Sequence, residues 1–271
     1  MTATRPTTDP GQPRPEYVSG HGLLRDKTVV VTAAAGAGIG ASMVRRCLEE
    51  DARAVVLSDT HERRLAEAHE LLAKEFGAER VASVTCDVTD EGHVTRLLDL
   101  ADRFGGVDVM VNNAGLGGTA SVLEMTDEQW SRVLDITLTG TFRCVRAAGN
   151  RMVQAGRKGV IVNNASVIGW RAQQGQAHYA AAKAGVMALT RCAATDLAQH
   201  GIRVNAVSPS LAMHPFLAKV TSDELLAELE QREAFGRAAE PWEVANVMVF
   251  LASDYSSYMT GEVVSVSSQH A

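Results

Sequence analysis

The chain lacks the common histidine and cysteine spacings that hold a metal. Its eight histidines form no H-x-x-x-H pair. Its four cysteines, Cys47, Cys86, Cys144 and Cys192, form no C-x-x-C pair. Both of these common ligand spacings are therefore missing, and no metal site is expected. The thiols read instead as small apolar residues kept reduced, which fits a cytoplasmic protein. Positive charge is also short: 26 basic residues against 32 acidic ones leave a net charge of −6. That balance excludes a general nucleic-acid footprint. No uninterrupted apolar run is long enough to span a membrane, and the N-terminus lacks a signal-peptide apolar core. There is no repeat of solenoid period. Proline is scarce after the start, with four of the seven falling between Met1 and Gly20. Residues 1–21 therefore read as a flexible tail, or as an arm along a neighbouring subunit. Residues 22–271, with 46% hydrophobic content over the chain, suffice for one sizeable core.

What is present is a strand–helix alternation. β-Branched runs predict strands over 28–32, 54–58, 81–85, 107–111, 159–164, 202–207 and 263–266. Helical periodicity covers 38–50, 61–76, 90–104, 126–155, 177–199 and 241–253. Short right-handed connections then give a single α/β domain, a doubly wound parallel sheet with helices on both faces. Ligands of such sheets lie beyond the carboxyl ends of the strands.

The first strand runs into Ala33-Ala34-Ala35-Gly36-Ala37-Gly38-Ile39-Gly40, and a helix follows. Strand, glycine turn and helix together make a credible dinucleotide site. Gly36, Gly38 and Gly40 let backbone approach a pyrophosphate, and the helix N-terminus from Ile39 offers it free N–H groups. The second strand ends at Asp59, nineteen residues after Gly40. A carboxylate there accepts hydrogen bonds from an adenosine ribose and repels a 2′-phosphate, so NAD(H) is preferred and NADP(H) remains possible.

A second constellation lies downstream. Tyr179 and Lys183 stand four residues apart on one helix face, and Ser166 lies thirteen residues upstream of Tyr179. An ammonium beside a phenol lowers its pKa from near ~10 and lets it exchange a proton with a substrate oxygen. A serine at a strand end can hold that oxygen.

These motifs, with Cys86-Asp87-Val88-Thr89, Asn112-Asn113-Ala114-Gly115 and Val204-Asn205-Ala206-Val207-Ser208-Pro209, resemble the short-chain dehydrogenase/reductase family from about Gly22 onward. The resemblance implies that Asp87 and Val88 lie against the adenine. It implies that Asn113, Ala114, Gly115 and Pro209 border the cofactor, and that Lys183 also binds the nicotinamide ribose. Phrases such as Asn163-Asn164-Ala165-Ser166-Val167-Ile168-Gly169-Trp170-Arg171-Ala172-Gln173 are similar to actinobacterial dehydrogenases acting on CoA thioesters from steroid C/D rings. The chain departs from the family at four places. Ala33-Ala34 replaces a Thr-Gly opening, in a turn one residue longer. Thr137 replaces the helix asparagine that often completes a catalytic tetrad. Pro209-Ser210 and His214 replace a Pro-Gly stretch and its threonine. Ser267-Ser268-Gln269 replaces Asp-Gly-Gly. A threonine can donate and accept, so the Thr137 hydroxyl is expected to bind the relay water behind Lys183.

The stretch 211–236 reads as a substrate lid or as an ordinary packed helix, starting near Ser222 with Leu225, Leu226 and Leu229 as its apolar stripe. Met213, Phe216 and Leu217 extend that wall. Either Trp170 and Arg171 border the same pocket, where an arginine can meet a carboxylate or a CoA phosphate, or Arg171 is an ordinary solvated surface arginine. His178 and His214 are candidates for the cleft. Apolar residues on several faces of 126–155 and 177–199 allow pairing into a homodimer or homotetramer. The activity expected is hydride exchange between a secondary alcohol and a ketone on an alicyclic or acyl-CoA substrate. The alternatives are a 3-oxoacyl thioester reductase and an NAD-sensing scaffold without chemistry.

Overall fold

A computed structural model describes residues 13–213 and 223–269. Seven strands form one sheet: β1 (Thr28–Val31), β2 (Ala54–Asp59), β3 (Val81–Thr85), β4 (Val109–Asn112), β5 (Val160–Asn164), β6 (Arg203–Pro209) and β7 (Val263–Val266). All neighbours pair in parallel, in the order β3-β2-β1-β4-β5-β6-β7. The order reverses between β1 and β4, and that crevice is where such sheets place a ligand.

The strands are apolar without alternation because both faces are covered. Val29 and Val31 pack into one core with Val55, Leu57, Val109 and Val111. Val30 points the other way, into a second core with Val56, Met110 and Ile161. Period-two side-chain alternation thus splits one β-branched run between two layers. On the first face lie α1 (Ile39–Glu49) and the helix near the C-terminus, α8 (Pro241–Ala252), through residues such as Met43 and Met248. On the second lie α3 (Glu91–Asp102) and α5 (Gly140–Gln154), through Leu97 and Cys144 among others. The remaining α-helices among the described residues are α2 (Glu62–Phe76), α4 (Asp127–Leu134), α6 (Ala177–Ala198) and α7 (Asp223–Gln231). No described helix is long and apolar enough to cross a membrane.

The helix expected over 126–155 is interrupted. α4 and α5 are joined by a π-turn over Asp135–Thr139, with the Gly140 N–H bonded to Asp135 O. A single helical hydrophobic pattern does not reveal such an insertion, because the chain stays coiled through it. Gly140 packs directly against Val88, where a β-carbon would collide. Near the other end of the chain, Tyr17 donates to Glu49 at 2.6 Å and meets Trp242 edge-on at 5.2 Å. Arg46 and Glu50, both buried, pair beneath it at 2.5 Å. His214, Phe216, Leu217 and Ser222 lie outside the described residues.

Candidate active site

Six strands deliver the candidate residues to one edge. β1 leads into the glycine turn, β2 ends at Asp59, β4 at Asn112, β5 at Asn164 and β6 at Pro209, and Asp87 follows β3 by two residues. The helix α1 starts with Gly38 as its cap, without a capping side chain and without an acid in its first turn. Its first N–H groups are therefore left for an anion. Gly36 holds φ at +105°, and side chains added at Gly36 or Gly38 would meet nothing, so the outer side of the turn is open. Gly40 faces inward, where a β-carbon would strike the Ala33 carbonyl and the Asn113 amide. The residues fit a pyrophosphate. Ala33, where the family has the Thr-Gly opening, takes φ 50°, a left-handed conformation that a glycine would hold with less strain.

Asp59 sits beside that turn, its two oxygens accepting from Ala35 N at 3.2 Å and His61 N at 3.0 Å. Each carboxylate oxygen keeps a further lone pair. Arg63 and Arg64 are exposed, and Arg63 leans on Glu67 at 3.7 Å. Asp87 accepts from Thr89 N and Oγ1 at 2.9 and 2.8 Å, which fixes the bend after β3. Val88 is buried against Gly140.

Paired asparagines organise the strand ends. In register across β4 and β5, Asn112 donates to Asn163 at 2.8 Å, and Asn163 donates to Thr190 at 2.9 Å. The next pair faces the site. Asn164 donates to Asn113 at 2.9 Å, and Asn113 donates to Ala33 O at 3.0 Å. Thr32 Oγ1 accepts the N–H groups of Asn113 and Ala114, both at 3.0 Å. Neither Thr32 nor Asn164 stands out as a single residue in the sequence. The doublet Asn163-Asn164 is a signal for Asn164, and Thr32 has none beyond its place at the end of β1.

Lys183 is buried, and its ammonium donates to Asn164 O at 2.5 Å. It lies 5.6 Å from the centre of the Tyr179 ring. Burial pulls its pKa from 10.5 down to about 8. Burial also raises the Tyr179 phenol, while the Ser166 hydroxyl pulls it back. The lowering of the phenol expected from Lys183 is not what sets it here: burial dominates, and the opposing pull comes from Ser166. Ser166 opens a short turn and accepts from Ile168 N at 3.3 Å. Ser166 and Tyr179 line a cleft of about 270 Å³ together with Asn164, Pro209, Leu229 and Gln269. Among the described residues, none that lines it carries a charge. His178 is buried against Gly118 and is not among them.

The fully buried Thr137 lies in the π-turn. Its hydroxyl accepts from Leu116 N at 2.9 Å and donates to Leu116 O at 3.2 Å. Its one proton is thus given to backbone, and the water contact expected from sequence is not where that proton goes. Gly115 lies between Thr137 and the Lys183 ammonium.

The lowered Lys183 pKa has a consequence for stability. Between about 8 and 10.5 the unfolded chain holds a proton on this lysine that the folded chain has lost. Folding stability is then expected to rise with pH through that window and to stay flat below it. Lys183→Met should remove the rise and gain about 1–3 kcal/mol near neutral pH. Urea unfolding at several pH values checks this; an unchanged slope in the variant would show that Lys183 is not its source.

A doubly wound sheet with an anion-ready glycine turn and a serine–tyrosine–lysine cluster at its carboxyl edge defines a nucleotide-dependent oxidoreductase. A family model described as enoyl-(acyl carrier protein) reductase matches residues 33–268. A (5R,7aS)-5-hydroxy-7a-methyl-1-oxo-2,3,5,6,7,7a-hexahydro-1H-indene-carboxyl-CoA reductase of Mycobacterium tuberculosis is 61% identical over 94% of this chain and 97% of its own length. A cis-4-hydroxycyclohexanecarboxylate dehydrogenase of Sinomonas cyclohexanicum is 41% identical over 89% of this chain and 95% of its own. A crystal structure of a short chain dehydrogenase from Mycobacterium smegmatis superposes with a TM-score of 0.84, at 56% identity, over 95% of this chain and 98% of that one. The chain belongs to the short-chain dehydrogenase/reductase family.

Proposed function

We propose that the chain interconverts a secondary alcohol and a ketone with NAD(H), on a steroid-derived alicyclic ring carried as a CoA thioester, in the cytoplasm and as a homodimer or homotetramer. The observation that carries this is the uncharged cleft with Ser166 and Tyr179 in its wall and Lys183 behind them. An apolar ring fits such a cleft without desolvating a charge. In this reading Ser166 holds the substrate oxygen by a hydrogen bond. Tyr179 gives that oxygen its proton, or takes it away. Lys183, braced by Asn164 O, keeps positive potential behind the phenol and reaches for ribose hydroxyls. Gly36, Gly38, Ile39 and Gly40 hold the pyrophosphate, and Asp59 the adenosine ribose. Asp87, Val88, Asn113, Ala114, Gly115 and Pro209 border the remainder. The nicotinamide supplies the hydride. The names of the indane-carboxyl-CoA reductase and the hydroxycyclohexanecarboxylate dehydrogenase support a ring alcohol bearing an acyl group.

The test is a screen of hydroxylated ring acids, as free acids and as CoA thioesters, with both cofactors. Linear 3-oxoacyl thioesters serve as the competing class. Preference for the linear thioesters would favour a reductase of lipid synthesis, and NAD binding without any turnover would favour a sensing scaffold.

Cofactor preference gives a sharper measurement. A carboxylate facing a 2′-phosphate is repelled by it in a cleft. The unmutated chain is expected to favour NAD(H) by about tenfold or more in kcat/KM, and Asp59→Ala to lose most of that preference. Equal use of NADP(H) by the unmutated chain would mean that Arg63 or Arg64 swings in to pair with the phosphate.

A further inference from the structure

The described lining of the cleft is neutral, yet a cation is held at its border. Arg171 ends the turn that begins at Ser166, with its N–H bonded to Val167 O at 3.0 Å. Its guanidinium donates through Nη1 to Gln269 Oε1. Gln269 itself lines the cleft beside Ser166 and Tyr179. Among the described residues this amide oxygen is the one hydrogen-bond partner of the guanidinium, so four of its five N–H groups are not used there.

The aim of that guanidinium is set from behind. Gln269 Nε2 donates to Glu233 Oε1 at 2.9 Å, which fixes the amide with its oxygen toward Arg171. Glu233 is 4% exposed and also accepts from Ser268 Oγ at 2.8 Å and from Leu211 N at 3.3 Å. Ala234 N meets Ser268 O at 2.7 Å, tying the segment after α7 to the C-terminal strap. A buried carboxylate with three donors is a rigid base, and rigid support is what a recognition side chain needs. A surface arginine has no use for a buried carboxylate orienting its partner.

We propose that Arg171, aimed by Gln269 and Glu233, takes the anionic group attached to the substrate ring, while the neutral cleft takes the ring. The inference rests on reading this cleft as the ring-alcohol site. Its chemistry is a planar fork meeting anionic oxygens, whether a carboxylate on the ring or the phosphates of a CoA carrier. Because Arg171 and Ser166 sit on one short turn, anchoring a carboxylate borne on the ring also fixes where the ring oxygen falls, whereas anchoring CoA phosphates at the end of the pantetheine arm adds affinity alone.

The test uses the full chain, unmutated and as Arg171→Met, Arg171→Lys and Gln269→Leu. The probes are a hydroxycyclohexanecarboxylate, its CoA thioester and cyclohexanol, followed by titration calorimetry and by steady-state kinetics. Arg171→Met is expected to raise Kd and KM roughly tenfold or more for an anionic probe, with kcat nearly kept. Cyclohexanol should change less than about twofold, since it offers no anion. Arg171→Lys should recover part of the loss by returning the charge without the fork, and Gln269→Leu should lose less than Arg171→Met. A loss confined to the free acid assigns the carboxylate, and one confined to the thioester assigns the phosphates. Equal losses for cyclohexanol overturn the proposal, because they report general damage to the cleft. Unchanged Kd values for both anions overturn it too, as does an unmutated chain that binds neither. Absence of turnover with retained, Arg171-dependent binding would instead sink the proposed reaction and leave the anion site standing.

Discussion

Tyr179→Phe is expected to lower kcat by at least about 100-fold while NADH still binds. The substitution removes one oxygen and leaves the ring, so the packing of α6 against the cleft is kept. Lys183 keeps its bond to Asn164 O, because that contact does not involve the phenol. What disappears is the group proposed to share a proton with the substrate oxygen, facing the Ser166 hydroxyl. Burial raises the phenol's pKa, so at neutral pH it carries its proton. That form is ready for ketone reduction, where a proton must be given. Alcohol oxidation needs the phenolate, so its rate should climb with pH while reduction stays level until the phenol titrates. Steady-state rates in both directions, with NADH fluorescence titration, check the pair of expectations. A variant with more than about a tenth of the original kcat would remove Tyr179 from the role of acid and base.

The strand ends were readable because their signals are local. β-Branched runs followed by glycine, aspartate or asparagine mark where a buried strand stops and a ligand edge begins, and Asp59, Asn113, Ser166 and Pro209 all fall on that edge. Spacing alone put Tyr179 and Lys183 on one helix face, and they share it. Other features depend on contacts between segments far apart in the chain. Gln269 is visible in sequence only as part of the Ser267-Ser268-Gln269 departure, and Glu233 carries no local signal. The buried Glu233 supports Gln269 only when the segment after β7 folds against the segment after α7. His178 looked like a cleft residue by adjacency to Tyr179. One step along a helix turns a side chain by about 100°, and that step carried it to Gly118 instead. The balance of burial against charge at Tyr179 was equally hidden, since desolvation is a property of the folded surroundings. Arg171 was visible as a charge near the pocket, but the partner that aims it was not.

Thr137→Val is the substitution in which fold and proposed chemistry meet. The side chain keeps its shape, so no cavity forms at this fully buried position. The hydroxyl is lost, and with it the acceptor for Leu116 N and the donor to Leu116 O. Both backbone groups would lose that partner in a half-exposed loop where water can replace it, a loss of about 1–2 kcal/mol in folding stability. The loop concerned follows Asn113-Ala114-Gly115, and Gly115 separates Thr137 from the Lys183 ammonium. Slack at Leu116 therefore reaches the support of the proposed Tyr179–Lys183 pair without touching substrate. A positioning role of this kind predicts a fall in kcat of about tenfold, with the shape of the pH–rate profile kept, because no titrating group has been removed. A role in carrying the proton predicts a changed profile instead. Thr137→Ser separates the two effects of the hydroxyl from those of the methyl, and it should recover most of both stability and rate. The π-turn over Asp135–Thr139 gives the physical reason for the arrangement: an inserted residue re-aims this side chain from the helix face toward the loop. Urea unfolding and pH-dependent kinetics on the three proteins decide the matter, and a Thr137→Val chain with unchanged stability and unchanged kcat would show that Leu116 needs no such clamp.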